Sequence, residues 1–378
     1  MPPGFQQTVA ALPTIFPVAL APFLSNLAVT AFAALLYTRW DFTLRETGKG
    51  FVHTNITQLC RICMRIGLPA SCARLETPMI SFERFLQIST DEVAALVKAT
   101  GQKVCVFPVN GTRRWFMLEH GDEIGNDFFE AYMNASIKNH VELCSMLFSH
   151  GIHTILAPVF GRELMQRGDE YTQRVGIDGL VRTATDPNFR KFYEQYDVRV
   201  RFYGDYRDVL TGTAYEYALQ SIYEITEITK HNSAFRLFFG VFADEVTETI
   251  ARLSVEHYLA YSAVPDKQTL IRKYYAEDVP PVSLFIGFDK FSVFDMPLLS
   301  TGEEDLYFSL SPSPYMTEHQ LRAILYDHIY VRRTPEPDYT TLADDELSWL
   351  RNYYRNNKDY AFGVGRLKFN LWIPEIMG

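Results

Sequence analysis

Two shortages in the sequence exclude classes of function. The 378 residues carry a formal net charge of −9, so the chain lacks the excess of Lys and Arg that a nucleic-acid surface needs, and we expect no nucleic acid partner. Cysteine is also scarce, and the count of five is odd, which is typical of a reduced cytoplasmic protein. Cys60, Cys63 and Cys72 have no fourth ligand at a standard spacing, so we predict no metal site there.

Several motifs are missing as well. The sequence has no Gly-rich dinucleotide fingerprint, no internal repeat and no low-complexity segment. It has no aspartate cluster of the DDxxD type, which disfavours a class I terpene synthase with a trinuclear magnesium site. Hydrophobic residues make up 47% of the chain, which is ample for one large core.

Charge is absent from the start of the chain, where the first charged residue is Arg39. Three interpretations of residues 1–78 compete: a membrane-associating leader, a disordered leader, or a start codon placed upstream of the native one. The protein is expected to be cytoplasmic, with membrane association through residues 1–40 as an open alternative.

The domain boundary is predicted from the first helix signal. Ser89 and Glu92 have the spacing of a capping box, and apolar residues follow them at helical spacing. We therefore predict an apolar N-terminal extension over residues 1–78 and one catalytic domain over residues 79–378.

Strands and helices alternate along that domain. This alternation predicts an α/β fold with a parallel central sheet and helices on both faces. The ligand crevice should lie at the strand ends, in the loops after Phe107, Val159, Tyr203 and Val241. The predicted strands are 103–107, 153–159, 198–203, 235–241, 282–286 and 305–308.

The segment from Lys103 to Phe116 carries the strongest chemical signal. An apolar strand ends at Pro108 and is followed by a loop with two adjacent arginines, Arg113 and Arg114. Each guanidinium presents a planar set of donors to a phosphate. Backbone N–H groups near Gly111 and Thr112 add to this site. On an acidic chain, the pattern predicts a local diphosphate site.

Eight segments then match a known family in their order. They are Asn110-Gly-Thr-Arg-Arg-Trp115, Leu147-Phe-Ser-His-Gly-Ile152, Arg167-Gly-Asp-Glu-Tyr171, Val200-Arg-Phe-Tyr-Gly-Asp-Tyr206, Phe288-Asp-Lys-Phe-Ser-Val-Phe-Asp-Met-Pro-Leu-Leu-Ser300, Tyr315-Met-Thr-Glu318, Ile324-Leu-Tyr-Asp-His-Ile-Tyr330 and Phe362-Gly-Val-Gly365. The domain resembles the cis-prenyltransferase (undecaprenyl diphosphate synthase-like) family, and within it the branch of tuberculosinyl adenosine transferases and tuberculosinol synthases. The resemblance implies a homodimer, a cyclic C20 allylic diphosphate substrate, loss of diphosphate, and capture of the cation by water or adenosine.

The sequence departs from the family pattern at several positions. The family has an aspartate for diphosphate and metal handling where this chain has Asn110, and a neutral amide is a weak Mg²⁺ ligand, so the need for Mg²⁺ stays open. Chain-elongating members have arginines where Gly287 and Lys290 stand, so we expect no elongation. A tyrosine considered catalytic in the transferases is assigned to Phe128.

We assign roles on this basis. Arg113 and Arg114 neutralise the leaving diphosphate, and Asn110 and Tyr171 complete the catalytic set. Asp205 is expected to hold Arg207 or Arg114, or to cap a helix. The predicted substrate-binding residues are Gly111, Thr112, Phe128, Phe129, Tyr132 and Asp205.

The leading functional prediction is a diterpene synthase. It ionises a cyclic diterpenyl diphosphate of the halimadienyl (tuberculosinyl) or kolavenyl type, and water captures the cation to give a diterpene alcohol. One alternative is transfer of the diterpenyl group to adenosine or another nucleophile. The other is a non-catalytic protein that binds prenyl diphosphates.

Overall fold

The structure is a computed structural model that describes residues 80–375. The predictions for residues 1–78 fall outside the described residues, and so does the cysteine cluster at positions 60, 63 and 72. The division at residue 78 therefore stays a prediction.

The described residues form fourteen α-helices. The α-helices are α1 (Phe82–Gln87), α2 (Thr90–Ala99), α3 (Thr112–Glu119), α4 (Phe128–Ser149), α5 (Arg162–Met165), α6 (Asp169–Tyr171), α7 (Asp178–Thr185), α8 (Pro187–Gln195), α9 (Tyr206–Leu210), α10 (Tyr217–Ile228), α11 (Val246–Tyr261), α12 (Lys267–Tyr275), α13 (Glu318–Ile329) and α14 (Asp344–Asn357). A π-helical segment, Thr172–Ile177, joins α6 to α7, and short 3-10 turns cover Gly121–Glu123, Ser313–Tyr315 and Val331–Arg333.

Six strands form one parallel sheet in the order β3-β4-β2-β1-β5-β6. All six predicted strands are present, with ends that differ by up to two residues. A separate antiparallel hairpin of two short strands, and helix α14 before it, were not predicted. The strands are β1 (Val104–Val106), β2 (Thr154–Phe160), β3 (Val198–Tyr203), β4 (Phe235–Val241), β5 (Leu284–Phe288), β6 (Asp305–Ser309), β7 (Gly365–Lys368) and β8 (Leu371–Pro374).

Both faces of the sheet are covered by helices, because alternate strand residues point to opposite sides. Val104 and Val106 of β1 are buried with Tyr275 of α12 on one face. Cys105, between them, is buried with Cys144 of α4 on the other face. The predicted fold class is confirmed.

The two arginines lie in a helix, and the predicted arginine loop is wrong. Helix α3 begins at Thr112, immediately after Gly111, whose φ of 77° turns the chain. The turn is fixed because the Asn110 N–H donates to the Ser313 hydroxyl (3.1 Å) and the Ser313 N–H donates to the Asn110 carbonyl (3.0 Å). Both arginines therefore lie in the first turn of α3, where the backbone N–H groups have no partner within the helix.

Two features of the structure require glycine at position 111: the positive φ, and the lack of room for a Cβ atom. A Cβ atom there would lie 2.8 Å from Cε1 of Phe288 and 2.8 Å from Cβ of Pro312. Gly212 has a similar φ of 73° but nothing within 4 Å of its Cβ position, so it is a matched control.

We expect Gly212→Ala to lower the free energy of unfolding by about 1 kcal/mol, the cost of a left-handed alanine. Gly111→Ala should cost about 2–4 kcal/mol, since overpacking adds to the same backbone term. Urea unfolding of both variants measures the difference. Equal losses would show that the contacts with Phe288 and Pro312 impose no constraint.

Candidate active site

A cavity of about 1200 Å³ opens at the carboxyl ends of the central strands. It is lined by residues 109–114 after β1, by residues 158–161 at the end of β2, by Ala243 and Asp244 after β4, and by Asp295 after β5. One face of α4 and the π-helical segment close its inner part. The β2–β4 register shifts between Pro158 and Phe160, so a bulge shapes this wall.

The loop after β3 does not line this cavity, contrary to the prediction, because β3 is the edge strand of the sheet. Asp205 in that loop is buried, and its carboxylate accepts hydrogen bonds from the Thr249 hydroxyl (2.7 Å) and from Arg252 Nη2 (2.8 Å). The predicted pairing of Asp205 with Arg207 or Arg114 is therefore wrong. Asp205 fastens helix α11 to the sheet.

Three arginines form the cationic end of the cavity. The guanidinium of Arg113 lies 5.3 Å from the ring centroid of Tyr171, and Arg167 Nη1 donates to the Tyr171 hydroxyl at 3.3 Å. Arg114 lies over the Phe288 ring at 5.3 Å, with its Nη2 3.5 Å from an Asp289 carboxylate oxygen. Tyr171 thus orients two guanidinium groups, and all three arginines line the cavity. Such a cluster matches a diphosphate.

Tyr132 is the phenol that α4 presents to this end of the cavity. Its hydroxyl lies 2.6 Å from the Thr112 hydroxyl, and both residues line the cavity. Burial raises the pKa of Tyr132 to about 12, so its hydroxyl stays protonated at neutral pH. It can therefore donate a hydrogen bond to an anion.

Phe128 and Phe129 pack beside the cavity without lining it, so that part of the prediction is not met. Phe128 stacks on Tyr132, with ring centroids 5.9 Å apart. Phe129 contacts the Tyr171 ring, and the Arg174 guanidinium lies over the Phe129 ring. These two side chains lie on the side of α4 that supports the tyrosines. A phenol is present in the lining all the same, because Tyr132 supplies one.

The donor set around Asn110 does not fit a magnesium ion. Asn110 lines the cavity together with Arg113 and Arg114, so a neutral amide stands beside two cations. Mg²⁺ is normally held by carboxylate oxygens and substrate phosphates. Within residues 80–375, no three His, Cys, Asp or Glu side chains are grouped so that they could hold a metal ion.

One side of the cavity wall is acidic. Asp244 and Asp295 line it, and the Asp244 carboxylate accepts the backbone N–H of Arg162 at 2.7 Å. Burial raises the pKa of Asp295 to about 7, and the charge of Asp244 adds to the shift. A carboxyl with that pKa can take up or release a proton near neutral pH.

The inner part of the cavity is apolar. Its wall includes Met133 and Ile137 of α4, Leu180 of α7, Phe189 of α8 and Phe239 of β4. Aliphatic and aromatic side chains of this kind suit a hydrocarbon skeleton, and ring faces stabilise positive charge.

Sequence reasoning missed several polar residues that line the cavity, among them His140, Arg167, Asp244 and Asp295. Arg167 and Asp295 stand in two of the matching segments, so the resemblance offered a signal for them. Asp244 follows β4 closely, where parallel strands place ligand-binding groups. His140 is a polar residue in the apolar row of α4, and that exception was its signal.

Comparison with known proteins identifies the family. The chain is 41% identical over 299 residues to tuberculosinyl adenosine transferase from Mycobacterium tuberculosis (strain CDC 1551 / Oshkosh), covering 79% of this chain and 99% of that protein. This chain belongs to the tuberculosinyl adenosine transferase family. It is also 23% identical over 302 residues to (+)-kolavelool synthase from Herpetosiphon aurantiacus, covering 79% of this chain and 96% of that protein. The predicted resemblance is confirmed, and family members are enzymes, as expected.

Two solved structures are similar to this member of the tuberculosinyl adenosine transferase family. Lavandulyl diphosphate synthase from Lavandula x intermedia, in complex with dimethylallyl diphosphate, gives a TM-score of 0.48 at 15% identity and covers 65% of this chain and 99% of that one. A probable undecaprenyl diphosphate synthase from Campylobacter jejuni gives 0.45 at 16% identity, covering 62% and 97%. These likenesses are weak, so the family assignment rests on the sequence relative. No protein-family profile matches the chain.

The sequence left open whether the protein associates with a membrane through residues 1–40. In the part that the structure describes, residues 80–375, no helix is both long and apolar enough to cross a membrane. Residues 1–40, to which the alternative of membrane association referred, lie outside that part.

Proposed function

We propose that this protein is a diterpenyltransferase that ionises a cyclic diterpenyl diphosphate and joins the resulting allylic cation to adenosine. The observation that carries the proposal is a cavity with a cationic end, an acidic side and a long apolar interior. The sequence alone favoured water as the acceptor. The transferase relative, 41% identical, favours adenosine.

Cavity volume supports an acceptor larger than water. Pockets that bind one drug-sized ligand measure about 300–1000 Å³. The cavity of about 1200 Å³ exceeds that range, which supports a site that takes a nucleoside beside a diterpenyl diphosphate. Capture by water, giving a diterpene alcohol, remains the second candidate because the other relative is a kolavelool synthase.

Ionisation is driven from the cationic end. Arg113, Arg114 and Arg167, with the hydroxyl of Tyr132, bind the diphosphate where negative charge develops as the allylic C–O bond breaks. The bonding electron pair leaves with the diphosphate. The dry apolar interior protects the cation from water until the acceptor attacks.

Capture takes place on the acidic side. A nitrogen lone pair of adenosine forms the new C–N bond, and the purine becomes positively charged. When a ring nitrogen attacks, it has no proton to lose, and the carboxylates of Asp244 and Asp295 stabilise the positive charge of the product. When the exocyclic amine attacks, Asp295 accepts one of its N–H protons and the product is neutral. With water as the acceptor, Asp295 takes the proton of the attacking O–H in the same way.

Product analysis tests the proposal. Purified protein is incubated with halimadienyl (tuberculosinyl) or kolavenyl diphosphate, with and without adenosine, and the products are read by mass spectrometry. We expect a diterpenyl–adenosine adduct that inosine, the matched acceptor, does not give. If the diterpene alcohol were the only product, in an amount that adenosine does not change, the protein would be a diterpene synthase. Calorimetric binding without any turnover would select the non-catalytic alternative.

The ionisation of Asp295 makes a pH prediction. Its pKa is raised to about 7, so the carboxylate that the reaction needs is scarce below that pH and predominates above it. We expect kcat to rise with pH through about 7 in the wild type. The Asp295→Asn variant should have a lower kcat, and its kcat should not rise with pH in this range. If kcat of the variant, measured from pH 5.5 to 8.5, rose with pH as in the wild type, the ionising group would be a residue other than Asp295.

We also propose a homodimer. Helix α11 buries only Thr249, and apolar side chains are exposed at its C-terminal end and in the loop that follows, with Leu259 of the helix 78% and Val264 of the loop 83% exposed. Val255, Tyr258 and Tyr261 are exposed beside them. Apolar groups at this density mark protein interfaces. Sedimentation velocity should give a dimer, and Leu259→Lys should weaken it.

A further inference from the structure

His140 stands in the inner wall of the cavity, and no hydrogen bond within the described residues satisfies it. Its ring packs against Phe189 and Phe239, with centroids 5.8 and 5.9 Å away. Its Nε2 atom is buried without a partner. A buried polar group without a partner is destabilising, so a bound ligand is the expected source of one.

The chemistry of His140 indicates the kind of partner. Burial lowers its pKa to about 4, so the ring is neutral at pH 7. A neutral imidazole offers one N–H donor and one acceptor. It therefore suits a neutral hydroxyl or carbonyl group better than a phosphate or a carboxylate.

The position of His140 along helix α4 indicates which part of the substrate it contacts. Tyr132, Ser136 and His140 are spaced by four residues and share one face of α4, and all three line the cavity. Tyr132 marks the diphosphate end through its contact with Thr112. His140 follows eight residues later, about 12 Å along the helix. A skeleton anchored at the arginines thus reaches His140 with its remote ring end.

We propose that His140, together with Ser136, binds an oxygen substituent on the ring end of the diterpenyl group, so that the preferred substrate class is an oxygenated cyclic diterpenyl diphosphate. The inference rests on the proposed function, which places the diphosphate at Arg113. The Ser136 hydroxyl, one helical turn away, is also buried and lies near the Tyr132 hydroxyl.

A trapped water is a poorer partner at this position. An ordered buried water normally makes about three hydrogen bonds. The hydroxyl of Thr183, which also lines the cavity, donates to the Leu180 carbonyl at 2.7 Å and so can serve a water only as an acceptor. The other nearby lining residues, Ile137, Phe189 and Phe239, are apolar.

Calorimetric binding tests the proposal on the full chain. The ligands are two non-reacting thiolodiphosphates of the halimadienyl skeleton, with and without a ring hydroxyl. We expect the wild type to bind the hydroxylated ligand at least ~10-fold more tightly, because a site built to bind a hydroxyl discriminates against the analogue that lacks it. His140→Phe should abolish this preference, and His140→Gln should retain part of it.

A shape control and melting curves complete the design. Leu180→Met changes the same wall without changing its hydrogen bonding, so the preference should survive in that variant. Thermal melts confirm that each variant is folded. Equal affinities of the wild type for both ligands, or a preference that His140→Phe retains, would overturn the role of His140 and leave the proposed function intact. Failure of both ligands to bind would overturn the proposed function, and this inference with it.

Discussion

Replacing Arg113 or Arg114 by alanine should lower turnover of a diterpenyl diphosphate by about 10²-fold or more. Each guanidinium is a preorganised donor to the diphosphate, and removing one such donor from a developing anion typically has that effect. Both side chains line the cavity beside the first turn of α3. Steady-state kinetics on halimadienyl diphosphate, with diphosphate release as the readout, measures the loss.

The two variants should differ in degree. Arg113 is oriented by the Tyr171 ring and has no carboxylate partner among residues 80–375, whereas Arg114 shares its charge with Asp289 at 3.5 Å. We therefore expect the larger fall in kcat for Arg113→Ala. Arg207 is the matched control, because it is exposed on the Tyr206 ring and does not line the cavity. Near-normal turnover in the Arg113→Ala/Arg114→Ala double variant would contradict the assignment.

The sheet was predictable because its signals are local. Each strand is a short apolar run between helical patterns, so β3 and β4 were predicted with the bounds that the structure gives. The strand order was not predicted, since pairing depends on contacts between distant residues. Helix α14 was missed because it is strongly polar and has no buried residue, so no core-facing apolar pattern marks it.

The cationic end was predicted from sequence and the acidic side was not. Arg113 and Arg114 are neighbours in the chain, and their adjacency is itself a signal. Asp244 and Asp295 follow different strands, β4 and β5, and only the folded sheet brings them to one cavity. Asp205 shows the opposite error: a carboxylate after a strand was assigned to the site, but its strand lies at the edge of the sheet.

Asn110→Asp should make the enzyme strongly dependent on divalent metal. The new carboxylate would stand with Arg113 and Arg114 at the diphosphate end of the cavity. At an effective dielectric constant of about 20, two unit charges 4 Å apart interact by about 4 kcal/mol. In EDTA the variant should therefore lose about 10²- to 10³-fold in turnover relative to the wild type. Mg²⁺ should restore it by bridging the carboxylate and the diphosphate.

The natural amide should behave differently, because it has no charge to repel the diphosphate and its NH₂ group can donate to a phosphate oxygen. We expect wild-type turnover to fall much less in EDTA, with the arginines supplying most of the neutralisation. Rates measured across a series of Mg²⁺ concentrations, with EDTA as the zero point, compare the two forms. Asn110→Ser is the matched control, since it removes the amide without adding charge and should show no new metal requirement. An equally steep loss of wild-type turnover in EDTA would refute the metal-sparing role of Asn110, and activity that appears only in Asn110→Asp would instead mark the natural site as crippled.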